Sequence, residues 1–483
     1  MSDLRNTSLL DSKGARWMVL VFLSIPMFAS YFFDDIFSSV SHIFSDPGLI
    51  VDLGWNAAEY GSYGGAYSIL CVCGGLIICG MLLDKWGVRF TGSLFVGLMV
   101  GGAALVTYAI SGTFAHSGFC SWLQKWMAKP SLTLAIIGCS IFGLGSEIAG
   151  VAVTRSIAKW FKGKEMAMAM GLQLALARLG TATALISVPF LVNATSGRVL
   201  FSQTIRPAQV GMILMVIAVA VWALFLFVDA KFDRQMSARI EASSGKPVEK
   251  DEFKFSDIGK ILSNKYYILI SLLCVFFYCC IISFRRFATA IIIPRFDIDQ
   301  DLASTMVALI PFCTMVFTPI FGYAVDRKGR GTRLMLLGSV MVLVAHLIVA
   351  FAPRGMAWCG YVGIGLLGIG YALVPAAMWP SVPKIIPEKN LGTAYSLVYW
   401  IQNIGLLVVP IFVGKIIDKT NARFITGEAS LTPQNESLAA YSSAVNAEYL
   451  FIALGVAAVI VALVLCRESD KRPDLELDAP NKK

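Results

Sequence analysis

Charge is scarce in this sequence. Of 483 residues only 15% are Asp, Glu, Lys or Arg, against about 25% in ordinary soluble proteins. A soluble domain keeps a polar skin, and single cores stop growing near about 250–300 residues. A chain so poor in charge and 57% hydrophobic is therefore not a cytosolic enzyme, a nucleic-acid binder or a disordered scaffold. Histidine is scarcer still, with only His42, His116 and His346. No cysteine/histidine spacing fits a metal site, no nucleophile–base pair stands out, and no cofactor is expected. The 11 cysteines form no disulfide framework. Cys71, Cys73, Cys79, Cys274, Cys279 and Cys280 lie in apolar runs, where the thiol acts as a small hydrophobe; Cys120 and Cys359, near the outer boundary, are placed to pair. The net charge of +9 implies no acidic partner, because membrane proteins collect Lys and Arg on one side.

What is present is apolar sequence in long runs, with a mean hydropathy of +0.71. A membrane helix needs about 20 largely apolar residues. Twelve runs qualify, at roughly 17–40, 59–83, 90–111, 131–154, 166–192, 208–229, 265–290, 300–324, 332–352, 357–379, 392–416 and 446–466. The first is too long for a signal peptide, lacks a small-residue cleavage site and runs into Asp34 and Asp35, so it reads as a retained helix. With the N-terminus inside, the inner segments carry 28 Lys and Arg and the outer ones 11, a bias that puts both termini on the cytoplasmic side. The expected organisation is an all-α membrane protein of twelve helices in two pseudo-symmetric halves. Residues 1–229 form the first six-helix half, 230–264 a polar inner linker, and 265–483 the second half with a short tail. A long outer loop is expected at about 417–445.

The halves carry a repeat. Gly80-Met-Leu-Leu-Asp84-Lys85-Trp-Gly87-Val-Arg89 and Gly322-Tyr-Ala-Val-Asp326-Arg327-Lys-Gly329-Arg330 both read G-x-x-x-D-[KR]-x-G, 242 residues apart. Matching turns at half-length spacing indicate a duplicated transporter fold. The first Gly would allow close helix approach, the Asp would sit near a helix N-terminus, and the second Gly would turn the chain. Asp84, Lys85, Arg89, Asp326, Arg327 and Arg330 are expected to act as inner gates, not as substrate ligands.

Two charges lie deep inside spans: Glu147 in the fourth and Arg178 in the fifth. A charge at mid-bilayer costs at least ~2.5–3.5 kcal/mol on insertion scales, which makes each a functional candidate. From the span limits, Glu147 lies about 12 Å and Arg178 roughly 20 Å above the inner boundary. An extended dipeptide is about 7 Å long, so an acid and a base offset by on the order of 8 Å can take its two charged ends. Arginine suits a carboxylate because its planar fork reaches both oxygens. A mutual packing salt bridge and a proton-carrying role for Glu147 are alternatives on the same residues. Arg285 and Arg286 fall near the outer end of the seventh run, snorkelling to the interface or with one facing the cavity as a second carboxylate site. Gln402 and Asn403 are consecutive amides in the eleventh run, suited to substrate contact or helix packing. Tyr31, Tyr60, Tyr63, Tyr67, Tyr395 and Tyr399 recur at helix-face spacing, more often packing than ligand contact. Asp34 and Asp35 are expected to be solvated, His346 packed, and Trp160 with Lys159, Lys162 and Lys164 to anchor the inner interface.

The G-x-x-x-D-[KR]-x-G pair resembles the loop signature of the major facilitator superfamily. Three further stretches resemble one branch of it: Phe142 to Glu147 with Trp160 to Glu165 and Gly171 to Gly180; Trp379-Pro380 with Pro387 to Tyr395 and Ile401 to Gly405; and Ser30-Tyr31-Phe32. Together these are similar to the lysosomal dipeptide transporter family (major facilitator superfamily domain-containing protein 1) and its bacterial relatives. The resemblance implies facilitated uniport of dipeptides, a preference for Lys, Arg or His side chains, and substrate-end recognition by the residues here numbered Glu147 and Arg178. Gln402, Asn403, Arg286 and Tyr395 are further substrate candidates. The family also works in lysosomes with a glycosylated accessory subunit. Sequons at Asn193 and Asn435 and a Leu9-Leu10 pair with Arg5 upstream weakly concern location. The reading favours a bacterial inner membrane, with the lysosome as the alternative. Partners are then a small solute and membrane lipid, with no nucleic acid. Rival functions are a proton-coupled organic-anion carrier and a non-transporting solute sensor, the latter short of a signalling domain.

Overall fold

The computed structural model of the chain describes residues 12–161, 165–192, 197–243, 256–387, 390–424 and 432–480. Among them, twelve helical segments are long and apolar enough to cross a membrane. Spans one to six are Lys13–Phe44, Ala57–Leu83, Lys85–Ala109, Pro130–Trp160, Met168–Phe190 and Phe201–Gln235. Spans seven to twelve are Lys265–Phe296, Gln300–Lys328, Gly331–Phe351, Ala357–Ile385, Thr393–Phe424 and Pro433–Lys471.

Several starts follow from local chemistry. Ser12 accepts a hydrogen bond from Ala15 N at the start of span one. Asn56 and Glu59 form a reciprocal capping box at span two, and Asp299 accepts from Leu302 N at span eight. Each satisfies an orphan backbone donor. The helices outrun the apolar runs. Helix continues from Arg206 to Ser243 and resumes over Ser256–Leu262, so much of the expected linker is helical. Likewise span eleven reaches Phe424 and span twelve starts at Pro433, which shortens the expected 417–445 loop. Charge ends a hydropathy run, but Lys, Arg, Glu and Gln are good helix formers and do not end a helix.

The repeat is realised in the backbone. Gly87 and Gly329 both take positive φ, 75° and 65°, a conformation that glycine adopts without strain. A Cβ on Gly329 would also lie 2.2 Å from Asp478 O. The expected close approach at Gly322 is not found: a side chain there would meet open space. At the start of span nine a carboxylate of the tail, Asp478, accepts from Thr332 N at 2.8 Å.

The halves meet where span two packs on span eleven, span five on span eight, and the end of span one on span seven. Between spans two and eleven the backbones touch. A Cβ on Gly61 would lie 2.3 Å from Pro410 O, one on Gly65 2.4 Å from Leu407 O, and one on Gly414 2.1 Å from Ala57 O. Small residues that allow backbones this close are the usual device of membrane helix packing. Span two breaks at Gly74, φ 95°, and the Val72 carbonyl nearby accepts from Trp400 Nε1 of span eleven at 2.7 Å.

Because successive spans alternate in direction, Lys13, Lys85, Lys159 and Lys471 share one face, called the basic face. Bonds between the halves gather at the opposite face. There Asp418 accepts from Ala57 N and Ala58 N at 3.1 and 2.8 Å, Asn421 donates to Ser45 O at 2.8 Å, Ser304 donates to Ser39 O at 3.1 Å, and the Ser41 and Thr289 hydroxyls meet at 3.0 Å. A two-residue parallel pairing of Ile50–Val51 with Arg198–Val199 closes the same end of the first half. Cys120 and Cys359 do not pair; both are free.

Candidate substrate cavity

The first half presents Glu147 and Arg178 on either side of span one. Ser30 of span one bonds Ser146 at 2.5 Å, beside Glu147. The next residue, Tyr31, has its ring centroid 5.8 Å from Arg178 Cζ. Both charged side chains are partly exposed inside the bundle. Span four runs on to Trp160 and the helix of span five begins at Met166, so Glu147 lies thirteen residues from the end of one and Arg178 twelve from the start of the other. These are depths of about 20 Å and about 18 Å, nearly level, where the sequence limits set them on the order of 8 Å apart. The two are separated laterally by the body of span one rather than mainly in depth.

Each charge is held by a tyrosine. Tyr67 of span two donates to Glu147 Oε1 at 3.1 Å and lies 3.1 Å from Ser146 Oγ. Arg178 lies over Tyr371 of span ten at 4.6 Å. Among the described residues no ion pair joins Glu147 to Arg178, so the packing salt bridge is not what this conformation shows. An unpaired acid and base in a low-dielectric cavity leave charge-assisted bonds available to a ligand.

The second half faces them with aromatic rings. Tyr278 packs edge-on to Tyr371 at 5.8 Å, and Trp379 stacks on Tyr399 at 5.0 Å and lies 5.9 Å from Tyr395. Trp379 Nε1 donates to Tyr278 OH at 3.3 Å, and Tyr399 is partly exposed. Tyr371 and Tyr278 were not legible as site residues: the stretches of spans seven and ten around them are apolar, and a tyrosine in an apolar stretch gives no signal of which way it faces.

Other candidates are occupied by the protein. Gln402 is buried and its Oε1 accepts from Cys274 Sγ at 3.3 Å. Asn403 is buried and its Oδ1 accepts from Ser68 of span two at 2.7 Å. Tyr395 donates to Trp379 O at 3.1 Å. Tyr60 and Tyr63 pack with Phe37, Phe44 and Trp55, as the stripe suggested.

Asp34, Asp35, Arg285 and Arg286 depart from expectation. Asp35 is fully buried and Asp34 only partly exposed, both paired rather than simply solvated, and the arginines neither snorkel nor face the cavity as a free second site. Arg286 Nη2 lies 2.8 Å from Asp34, Arg285 lies 3.6 Å from Asp34 and 3.2 Å from Asp35, and Ser38 donates to Asp35 at 2.8 Å. Four charges from spans one and seven thus close the opposite face, with Tyr60 OH bonding Arg286 O at 2.9 Å.

Three of the gate candidates at the basic face, Arg89, Arg327 and Arg330, are seated within their own halves. Arg89 pairs with Asp233 at 2.8 Å and approaches Asp229 at 3.8 Å. Arg327 lies over Tyr323, and Arg330 N donates to Asp478 O. Lys85 is exposed, and Asp326 has bonded partners; the Asp84 side chain lies outside the described residues. Trp160 is buried rather than at an interface. Its Nε1 and Lys159 Nζ bond Asp229 at 2.8 and 2.9 Å, which ties span four to span six. Lys162, Lys164, Asn193, Leu9 and Leu10 also fall outside the described residues. His346 is packed as expected, but beside a buried acid the hydropathy reading passed over, Glu448, at 2.9 Å.

Two six-span halves that meet around a partly exposed acid and base, with no ion pair between them among the described residues, define a membrane solute carrier. The chain matches the Major Facilitator Superfamily over residues 23–410 and again over 275–483, and it belongs to that family. It is a transporter and not an enzyme. Among curated proteins it is similar to the lysosomal dipeptide transporter MFSD1 of Danio rerio, with 28% identity over 422 residues, 85% of this chain and 82% of that protein. The Homo sapiens MFSD1 is 26% identical over 76% of this chain and 72% of its own length. Among solved structures, a bacterial homologue of the human lysosomal transporter Spinster, inward-facing and unoccupied, aligns with a TM-score of 0.65 at 15% identity, covering 95% of this chain and 98% of that one. PepTSo2 aligns with a TM-score of 0.59 at 14% identity, over 95% of this chain and 100% of its own. At these identities the structural likeness speaks for the fold.

Proposed function

We propose that the protein is a dipeptide uniporter working by alternating access, with Glu147 taking the substrate ammonium and Arg178 its carboxylate. The observation that carries this is the pair itself: an acid and a base, both partly exposed in the cavity, flank span one without bonding each other. The MFSD1 name of the relatives supports the same substrate class. Both termini would face the cytoplasm, and the present conformation would open there, since the contacts between halves lie at the other end. A preference for Lys, Arg or His side chains would draw on the exposed Tyr399 and its neighbour Trp379, since aromatic faces attract cations. Gln402, Asn403, Arg286 and Tyr395 would contribute only after releasing their present partners. The relatives' names place them in lysosomes; transport itself needs only a sealed membrane, and an accessory glycoprotein subunit would matter only in a lysosome. The test is uptake of a labelled dipeptide into proteoliposomes preloaded with unlabelled dipeptide, without a pH gradient. Uniport predicts accumulation of label, and N-acetylated dipeptide should fail to compete. Uptake that needs a proton gradient and accepts simple organic acids would replace this reading with the proton-coupled anion carrier.

A further inference from the structure

Arg178 is flanked by rings from both halves. Tyr371 of span ten lies 4.6 Å from its Cζ and Tyr31 of span one 5.8 Å. A guanidinium is flat. When its face rests on a ring, its N–H donors point outward in the plane. A two-pronged grip on a carboxylate uses those in-plane donors, so stacking and carboxylate binding do not compete. Tyr371 is itself fixed. It is buried, packs against Phe277 at 6.4 Å and Tyr278 at 5.8 Å, and Tyr278 is held in turn by Trp379 Nε1.

We infer that Tyr371 is a positioning residue for substrate selection: it orients the Arg178 fork from across the boundary between the halves without touching the substrate. The inference rests on the carboxylate role of Arg178 proposed above and adds the group that makes that role specific. The ring lies under the guanidinium and the hydroxyl takes one of its N–H donors, so both parts of Tyr371 fix the fork.

The test compares a neutral dipeptide with its C-terminal amide, by calorimetry on the purified full-length protein and on Tyr371→Leu, Tyr371→Phe and Arg178→Ala. In the unaltered protein the free acid should bind more tightly than the amide. Tyr371→Leu should cut that preference about 30-fold, the size of a desolvated cation–ring contact, by weakening the acid and sparing the amide. Tyr371→Phe keeps the ring and loses the hydroxyl bond, so its preference should fall between those of the unaltered protein and Tyr371→Leu. Equal weakening of acid and amide in Tyr371→Leu would overturn the inference and leave Tyr371 as a wall of the cavity. If Arg178→Ala leaves the preference intact, the carboxylate reading itself fails; if Arg178→Ala removes it and Tyr371→Leu does not, only the positioning role fails. Should Tyr371→Leu not fold, Tyr371→Met makes the same comparison.

Discussion

Asp34→Asn should open the face that is now closed. Asp34 holds Arg286 at 2.8 Å and lies 3.6 Å from Arg285, and its side chain is 18% exposed against 7% for each arginine. Removing one partner of a fully buried pair costs about 3–5 kcal/mol, because the other charge is left uncompensated. Here the cost is smaller. Asp35 still faces Arg285 at 3.2 Å, and Asp34 is partly hydrated already. About 2 kcal/mol is the reasonable size, discounted for that exposure. The bridge joins span one to span seven, so the penalty falls on the state closed at this face; opening lets water reach the stranded arginine. A shift of about 2 kcal/mol changes the ratio of the two states about 30-fold. The assay is modification of Ser41→Cys by a membrane-impermeant maleimide. Ser41 is buried and bonded to Thr289 across the halves, and replacing the exposed Cys73 by Ser lowers the background. The labelling rate should follow the open population and rise about 30-fold in Asp34→Asn. A change of less than about twofold would refute the latch.

Other outcomes follow from the same geometry. Gly414→Ala places a methyl 2.1 Å from Ala57 O; overpacking of that kind costs about 1–3 kcal/mol, so the Ser41→Cys labelling rate should rise here as well. Asp229→Leu strands Trp160 Nε1, now 2.8 Å from its acceptor, and removes one of two acids from Lys159. It should destabilise the fold by about 2 kcal/mol, read as a lower unfolding temperature of the detergent-solubilised protein. Trp400→Phe removes the donor to the Val72 carbonyl at the break in span two. A loss of about 1 kcal/mol should appear as faster hydrogen exchange around Gly74.

The spans and their order were legible because the hydrocarbon core imposes one strong rule, about 20 apolar residues per crossing. Their ends were not, since nothing in Lys231 or Asp233 stops a helix that has already left the bilayer. Glu147 and Arg178 were legible for the same reason that makes them costly: each interrupts an apolar run. The four charges of the latch misled. Asp34 and Asp35 sit near the end of one run and Arg285 and Arg286 near the end of another, which looks like solvation when each run is read alone. Only the packing of span one on span seven reveals that they neutralise each other. The aromatic half of the cavity was hidden by composition, since Tyr371, Tyr278 and Trp379 lie in stretches as apolar as the lipid-facing ones. Glu448 passed unnoticed because it falls near the expected start of the twelfth run, where an acid is ordinary.

The account turns on two ends of one substrate gripped by two residues. Binding of a dipeptide, its N-acetyl form and its C-terminal amide to the unaltered protein, Glu147→Gln and Arg178→Ala measures this directly. Each lost charge-assisted contact is worth about 1.5–3 kcal/mol, or roughly 10- to 150-fold in affinity. Acetylation should cost that much in the unaltered protein and almost nothing in Glu147→Gln; amidation should do the same with Arg178→Ala. If acetylation costs as much in Glu147→Gln as in the unaltered protein, Glu147 does not hold the amino end and the two-ended grip is wrong.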